Sequence, residues 1–257
     1  MIVSTRQAGK TLLAAGKVYH IGSTQKHSVS AVVCPDQDKS ERVIERVNEI
    51  KSSDTAEAQA FDPSNQKEVG MPWSGSTIKA MPGTIKGVVS HTVKCLIFDE
   101  ANLIDRDLYG AATPTQAHVD EPWTWALSSA WWQDGWFYDD WTKGTGGWTR
   151  ILVRAKWDIK NGKVIPYMKE DEFKAMWAEK DITAFFSETP SREFLELELT
   201  RHPEKTIRQQ YFCEFQPKSG NVFSELWINK VFSKDVQPLH KRNGNGVKKL
   251  GLLEGIK

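Results

Sequence analysis

The chain is poor in the residues that mark several protein classes. Only three of its 257 residues are cysteine (Cys34, Cys95 and Cys213), far apart and without a CxxC pair. That excludes a cysteine zinc site or a disulfide framework and fits a reducing compartment. The six histidines (His20, His27, His91, His118, His202 and His240) fall at no ligand spacing and read as surface or packing residues. GxSxG and HExxH patterns are absent, which leaves serine-hydrolase and zincin chemistry without support. No apolar run approaches the roughly 18 residues needed to span a bilayer. The opening MIVSTRQAGK has only Met1, Ile2 and Val3 as an apolar stretch, far below a signal-peptide core. The chain reads as soluble, with no membrane partner.

A surplus of charge is also missing. Lysine and arginine total 34 against 33 acidic residues, a net +1, so any grip on nucleic acid must be local or shared among subunits. Tryptophan is plentiful instead. Seven of 11 lie between Trp123 and Trp148, a pattern that reads first as aromatic packing and second as a base-stacking surface. Asp134, Asp139 and Asp140 in the same stretch read as a solvated helix face rather than a metal cluster.

Along the chain, apolar runs alternate with helical patterns. Residues 1–3 are the stub of a strand, and Lys10 to about His20 reads as a helix closed by Gly22. VSAVVC at 29–34, stopped by Pro35, has the near-continuous β-branched character of a buried parallel strand. Residues 40–51 place Val43, Ile44, Val47 and Ile50 on one helical face. A turn-rich stretch at 62–87 holds a short hairpin around Ser76–Ala80. Strands follow at 93–98, 123–129 and 149–157, with a helix opening at Gly135. From Asp171 the pattern turns helical in three pieces, and from Gln237 it becomes a polar, basic linker. Strands alternating with helices predict an α/β fold, a mainly parallel central sheet with helices on both faces.

Two motifs carry chemistry. Residues 4–11, STRQAGKT, have the spacing of a phosphate-binding loop with Ser4 in place of the first glycine. In such a loop successive N–H groups, here from Ser4, Gln7, Ala8 and Gly9, curl around a phosphate at a helix N-terminus. Lys10 neutralises the β and γ oxygens, and the Thr11 hydroxyl binds Mg²⁺. The second motif is Leu96-Ile97-Phe98-Asp99-Glu100, an apolar strand ending in two carboxylates. Asp99 would hold the hydrated Mg²⁺ opposite Thr11. Glu100, pointing elsewhere, would deprotonate the attacking water. Thr11 and Asp99 are therefore expected on one edge of the sheet, their oxygens facing a common gap.

Four segments in order resemble the large terminase subunits of phages. They are Thr5-Arg6-Gln7-Ala8-Gly9-Lys10-Thr11; Ile97-Phe98-Asp99-Glu100-Ala101; Leu127-Ser128-Ser129-Ala130 followed by Gly135-Trp136-Phe137-Tyr138; and Ile207 to Phe215 (IRQQYFCEF) with Ser219-Gly220-Asn221-Val222-Phe223. Together they span roughly residues 2–224. The resemblance implies a P-loop NTPase of the additional-strand, catalytic-glutamate type at 1–232, and at 233–257 a linker toward an absent nuclease domain. It implies an ATPase that uses ATP and Mg²⁺ to move double-stranded DNA into a procapsid. Its partners would be the portal protein and the small terminase subunit, with a ring of copies during packaging, a monomer in isolation, and the host cytoplasm as its place. Arg6 would sense the γ-phosphate as a cis arginine. Ser128 and Ser129 would couple hydrolysis to DNA, on a strand between the phosphate-loop strand and the Asp99 strand.

Some features depart from that pattern. Lys86-Gly87 stands where relatives have Arg-Gly, and a lysine lacks the planar fork of a trans-acting arginine. Gln210 stands where relatives commonly have glutamate. Only three residues precede Ser4, and Glu254 is the sole carboxylate from Leu250 onward, so the chain is expected to be truncated at both ends and to lack nuclease activity. Two other readings stay open: a non-catalytic remnant acting as an interaction module, and another P-loop ATPase such as a helicase half.

Overall fold

Short runs of apolar residues, each followed by an amphipathic segment, set the architecture. The computed structural model describes residues 1–54, 67–83 and 91–218. Lys86-Gly87, Ser219–Phe223, the boundary at 232/233 and the linker from Gln237 lie outside the described residues. In the unit Met1–Pro217, β1 (Ile2–Ser4) runs through a tight loop into α1 (Lys10–Thr24), and β2 (Val29–Cys34) is followed by α2 (Gln37–Asp54). A hairpin of β3 (Glu68–Met71) and β4 (Ser76–Pro82) precedes β5 (Cys95–Asp99), α3 (Arg106–Ala112) and β6 (Trp123–Ser128). Then come α4 (Gly135–Lys143), β7 (Arg150–Ala155), β8 (Trp157–Lys160), β9 (Lys163–Pro166), α5 (Glu170–Ala178), β10 (Ile182–Ser187), α6 (Arg192–Arg201) and α7 (Glu204–Tyr211).

Eight strands form one sheet in the order β10-β7-β1-β6-β5-β2-β4-β3, and β8 pairs with β9 separately. All neighbours in the large sheet are parallel except β3 on β4. The central strands are apolar on both faces because both are covered. Ala31, Val33, Leu96, Phe98 and Ala126 enter one core with Leu108, Trp136, Phe137 and Phe173 from α3, α4 and α5. The alternate residues Val32, Cys34, Cys95, Ile97 and Leu127 enter the other core with Ala14, Val18, Val43 and Val47 from α1 and α2. Helices therefore cover both faces, as the alternation predicts. A third cluster joins β8 and β9 to α6 and α7 through Ile159, Val164, Leu195, Ile207 and Tyr211.

Side-chain caps fix several helix starts, each satisfying an amide that helical geometry leaves unpaired. Asp105 accepts from Leu108 N at 2.7 Å, Asp134 from Gly135 N at 2.9 Å, and Ser191 from Phe194 N at 3.3 Å.

Three local expectations are corrected. Helix α1 is not closed by Gly22 but runs on to Thr24. A Cβ at Gly22 would meet the Ile78 side chain at 3.3 Å, so the glycine serves close packing of helix on sheet rather than termination. The strand expected to run through Trp157 ends at Ala155. Trp157 instead opens the β8–β9 hairpin, turned by Asn161 and Gly162 at φ 52° and 71°, the paired left-handed conformations that Asn-Gly favours. The largely helical C-terminal half also contains β10, paired with β7 over residues 182–187.

The tryptophan-rich stretch is mostly packing. Trp136 stacks on Tyr109 at 3.9 Å and meets Phe98 edge-on, and Trp141 is buried beside it. Trp123 is the exposed member, with Lys17 Nζ 3.6 Å above its ring. The aspartates have structural partners: Asp139 pairs with Arg106 and Lys143, and Asp140 accepts from Thr145 and Trp148.

Candidate functional site

Parallel strands place all their C-terminal ends on one edge, where ligands of open α/β sheets bind. The register aligns three of them. Val3 of β1 pairs with Ser128 of β6, and Asp99 of β5 pairs with Leu127. β6 thus lies between β1 and β5, the placement expected for the Ser128–Ser129 strand, and Ser4, Asp99 and Ser128 end side by side.

The loop after β1 is anchored from outside, and within it Ala8 N donates to Thr5 O at 3.4 Å. Thr5 N donates to Val153 O at 2.8 Å, and Arg6 N to Gln210 O at 2.8 Å. Gln7 and Gly9 take left-handed φ values of 64° and 81°. Left-handed residues alternating with others are the backbone pattern of a nest, which turns amides toward one concavity. At Gly9 nothing lies within 4 Å of the point where a Cβ would stand, so the glycine is required by backbone conformation and not by crowding. The first-turn amides of α1 point into the same concavity, since helical geometry gives them no partner of their own.

Polar side chains converge from three elements. Lys10, buried to 9% exposure, donates to Ser129 Oγ at 2.8 Å and lies 3.9 Å from Glu100 Oε1. Thr11 Oγ1 donates to Asp99 Oδ2 at 3.0 Å, and Asp99 Oδ1 accepts from Glu100 N at 3.1 Å. Burial pushes the Asp99 carboxyl above its ordinary value, Glu100 adds to the rise, and Thr11 and Lys10 oppose it. A buried carboxylate beside a hydroxyl oxygen suits Mg²⁺, which takes one or two carboxylates and leaves its other positions to water and phosphate. The residues present therefore fit that ion.

Glu100 departs from the strand with φ 53°, a left-handed conformation uncommon outside glycine. The turn sends its side chain away from Asp99 and toward the end of β6. Oε2 accepts from Trp131 Nε1 at 3.0 Å, and from Ser129 N and Ser128 Oγ at 3.5 Å each. Ser128 Oγ accepts in turn from Asn102 N at 3.3 Å. Asn102 is a knot: its Oδ1 accepts from Trp131 N and Trp132 N at 3.2 and 2.7 Å, and its amide donates to Trp132 O and Asp134 O.

The structure thus brings Ser4, Gly9, Lys10, Thr11, Asp99, Glu100, Ser128 and Ser129 together. Arg6 and Gln7 stand on the exposed side of the loop and Ala8 is half-buried. Gln210 contributes its backbone carbonyl to the loop rather than its side chain. Reading the sequence alone misses Asn102, Trp131 and Gln209. Their roles depend on contacts between residues some 30 to 80 positions apart, and no local spacing signals them.

The family described as "Terminase large subunit, T4likevirus-type, N-terminal" matches residues 1–230. No curated protein sequence matches the chain. Among solved structures, the large terminase of bacteriophage HK97 is similar at TM-score 0.59 and 18% identity, over 83% of this chain and 46% of that one. The ATPase domain of the Thermus phage P74-26 large terminase is similar at TM-score 0.57 and 19% identity, over 84% and 88%. The large terminase of a thermophilic bacteriophage in complex with ADP is similar at TM-score 0.55 and 11% identity, over 83% and 48%. The chain spans about half the length of the HK97 protein and of the ADP-bound one.

Proposed function

The chain belongs to the large terminase subunits of the T4likevirus type, and from that membership we propose that it hydrolyses ATP to drive double-stranded phage DNA into a procapsid. The observation that carries this reading is the convergence of Lys10, Thr11, Asp99 and Glu100 at one sheet edge, with Thr11 and Asp99 3.0 Å apart. The similar terminase of the thermophilic phage, solved with ADP, supports a nucleotide as the ligand.

In this reading the loop amides and the start of α1 hold the β- and γ-phosphates. Lys10 leaves Ser129 to meet their oxygens. Thr11 and Asp99 hold Mg²⁺, which when bound offsets charge on the transferred phosphoryl group. Glu100 takes a proton from water as the water oxygen bonds to the γ-phosphorus. The bond to the bridging oxygen breaks, and that oxygen departs with ADP. Arg6, exposed beside the loop, supplies further positive charge to the γ-phosphate. Ser129 shares Lys10 and Glu100 as neighbours, so Ser128 and Ser129 register the change in occupancy and pass it to the DNA-gripping surface. The portal protein and the small terminase subunit are the proposed partners, with a ring of copies during packaging in the host cytoplasm and a monomer in isolation.

Glu100→Gln should still bind Mg²⁺-ATP yet turn it over at least ~10²-fold more slowly, the usual scale for losing a general base. Lys10→Ala should abolish turnover. Phosphate release and nucleotide binding measured on the full chain decide it. Undiminished turnover in Glu100→Gln removes the base, and a wild-type chain that neither binds nor hydrolyses ATP removes the whole reading.

A further inference from the structure

Trp131 follows the two serines by two positions and is absent from all three buried clusters. Its ring therefore does not earn its place by filling a core. Its polar tip does something specific: of the three donors on Glu100 Oε2, only the indole N–H at 3.0 Å is short, the others being 3.5 Å. The backbone of Trp131 is held on both sides. Its N–H donates to Asn102 Oδ1 at 3.2 Å, and its carbonyl accepts from Gln209 Nε2 at 2.6 Å and Gln216 N at 3.1 Å. The indole is thus presented to Glu100 by three separate segments of the chain.

We propose that Trp131 is the positioning residue of the site: its indole N–H pins Oε2 of Glu100, so that Oε1, on the Lys10 side, is the oxygen aimed at the attacking water. This rests on the reading of Glu100 as the base. A carboxylate on a single-bonded stem rotates freely unless one oxygen is tied. A charge-assisted N–H bond is the strong kind of tie, and at 3.0 Å the indole bond is the shortest one given to Glu100 Oε2.

Bulk and donor can be separated by substitution. Phenylalanine keeps an aromatic ring and loses the N–H. Histidine loses the benzo ring but keeps a five-membered ring whose Nε2 superimposes on the indole Nε1. In the full chain, Trp131→Phe should lower kcat for ATP at least about tenfold, the scale of a lost hydrogen bond to a charged group, with KM changed by less than about twofold, as befits an interaction expressed in the transition state. Trp131→His should retain most of the rate. An equal fall in both variants means that ring volume matters and overturns the proposal, as does a raised KM with kcat intact.

A second measurement needs no turnover. In ¹⁵N–¹H spectra the indole signal missing from Trp131→Phe should shift in Glu100→Ala, and an unmoved signal overturns the proposal. A slow Glu100→Gln beside a fast Trp131→Phe removes only this inference, whereas a fast Glu100→Gln removes the parent reading.

Discussion

Asp99 and Glu100 are consecutive carboxylates with separate neighbours, and a single backbone angle separates them. In an extended strand neighbouring side chains point to opposite faces. Here the strand stops at Asp99 and the left-handed φ at Glu100 swings the second carboxylate along the sheet edge toward Ser128, Ser129 and Trp131. The grouping of Lys10, Thr11, Asp99 and Glu100 is legible in the sequence because their spacing is set within one loop and one strand. Trp131 and Asn102 are not, because the contacts of Trp131 with Glu100 and with Asn102 follow from the register of β5 on β6, which no short window encodes. The cysteines lie apart from this chemistry. Burial pushes the thiols of Cys95 and Cys213 up to about 12 and that of Cys34 higher still. In native protein at pH 8 the buried Cys34 and Cys95 should not react quickly with a thiol reagent, and both should react after denaturation. The unfolded chain ionises its thiols from about pH 9 while the folded chain keeps them neutral, so stability should fall as pH rises from about 9 toward 12. Fast labelling of Cys95 at pH 8 would contradict its burial.

Among the elements, α1 does the most to shape the site, because its first turn holds Lys10 and Thr11 while its body packs on β2, β4 and β5. Ala14, Ala15, Val18 and Ile21 bury one side, and Gly22 lets the last full turn approach Ile78. Gly22→Leu should destabilise the protein by about 1–3 kcal/mol through overpacking, read as a lowered urea midpoint. An unchanged midpoint would mean that the helix is not seated on Ile78. The glycine misleads in the sequence because a glycine near a helix end fits termination and close packing equally well, and only the partner across the gap distinguishes them. The β8–β9 hairpin carries a real signal in Asn161-Gly162. It is masked because Thr149 to Trp157 reads as one unbroken strand. β10 is short and alternates buried Ile182 and Ala184 with exposed Thr183 and Phe185, as suits the edge of a sheet more than its middle.

At the scale of the molecule the sheet order is foreseeable where motifs name its strands, and β1, β5 and β6 fall as expected. The outer strands have no motif to place them. A net charge of +1 bears on the proposed handling of DNA. A single copy making about two phosphate contacts should lose only roughly tenfold in duplex affinity between about 50 and about 200 mM salt, against at least about 10³-fold for six or more contacts. Fluorescence anisotropy on isolated protein measures this, and a steep slope would reveal a basic face that the composition hides. The last residues of this unit are stitched back to the segment that follows β6. Gln216 is bridged to Trp132, Gln216 N holds the Trp131 carbonyl, and Gln133 is tied to both Phe215 and Gln216. In mechanical language, the strap that runs to Pro217 is a tie rod clamped to the backbone of Trp131, the residue whose indole touches Glu100. The three bonds lie in parallel along residues 131–133, so displacing the strap and displacing the Trp131 backbone are one event.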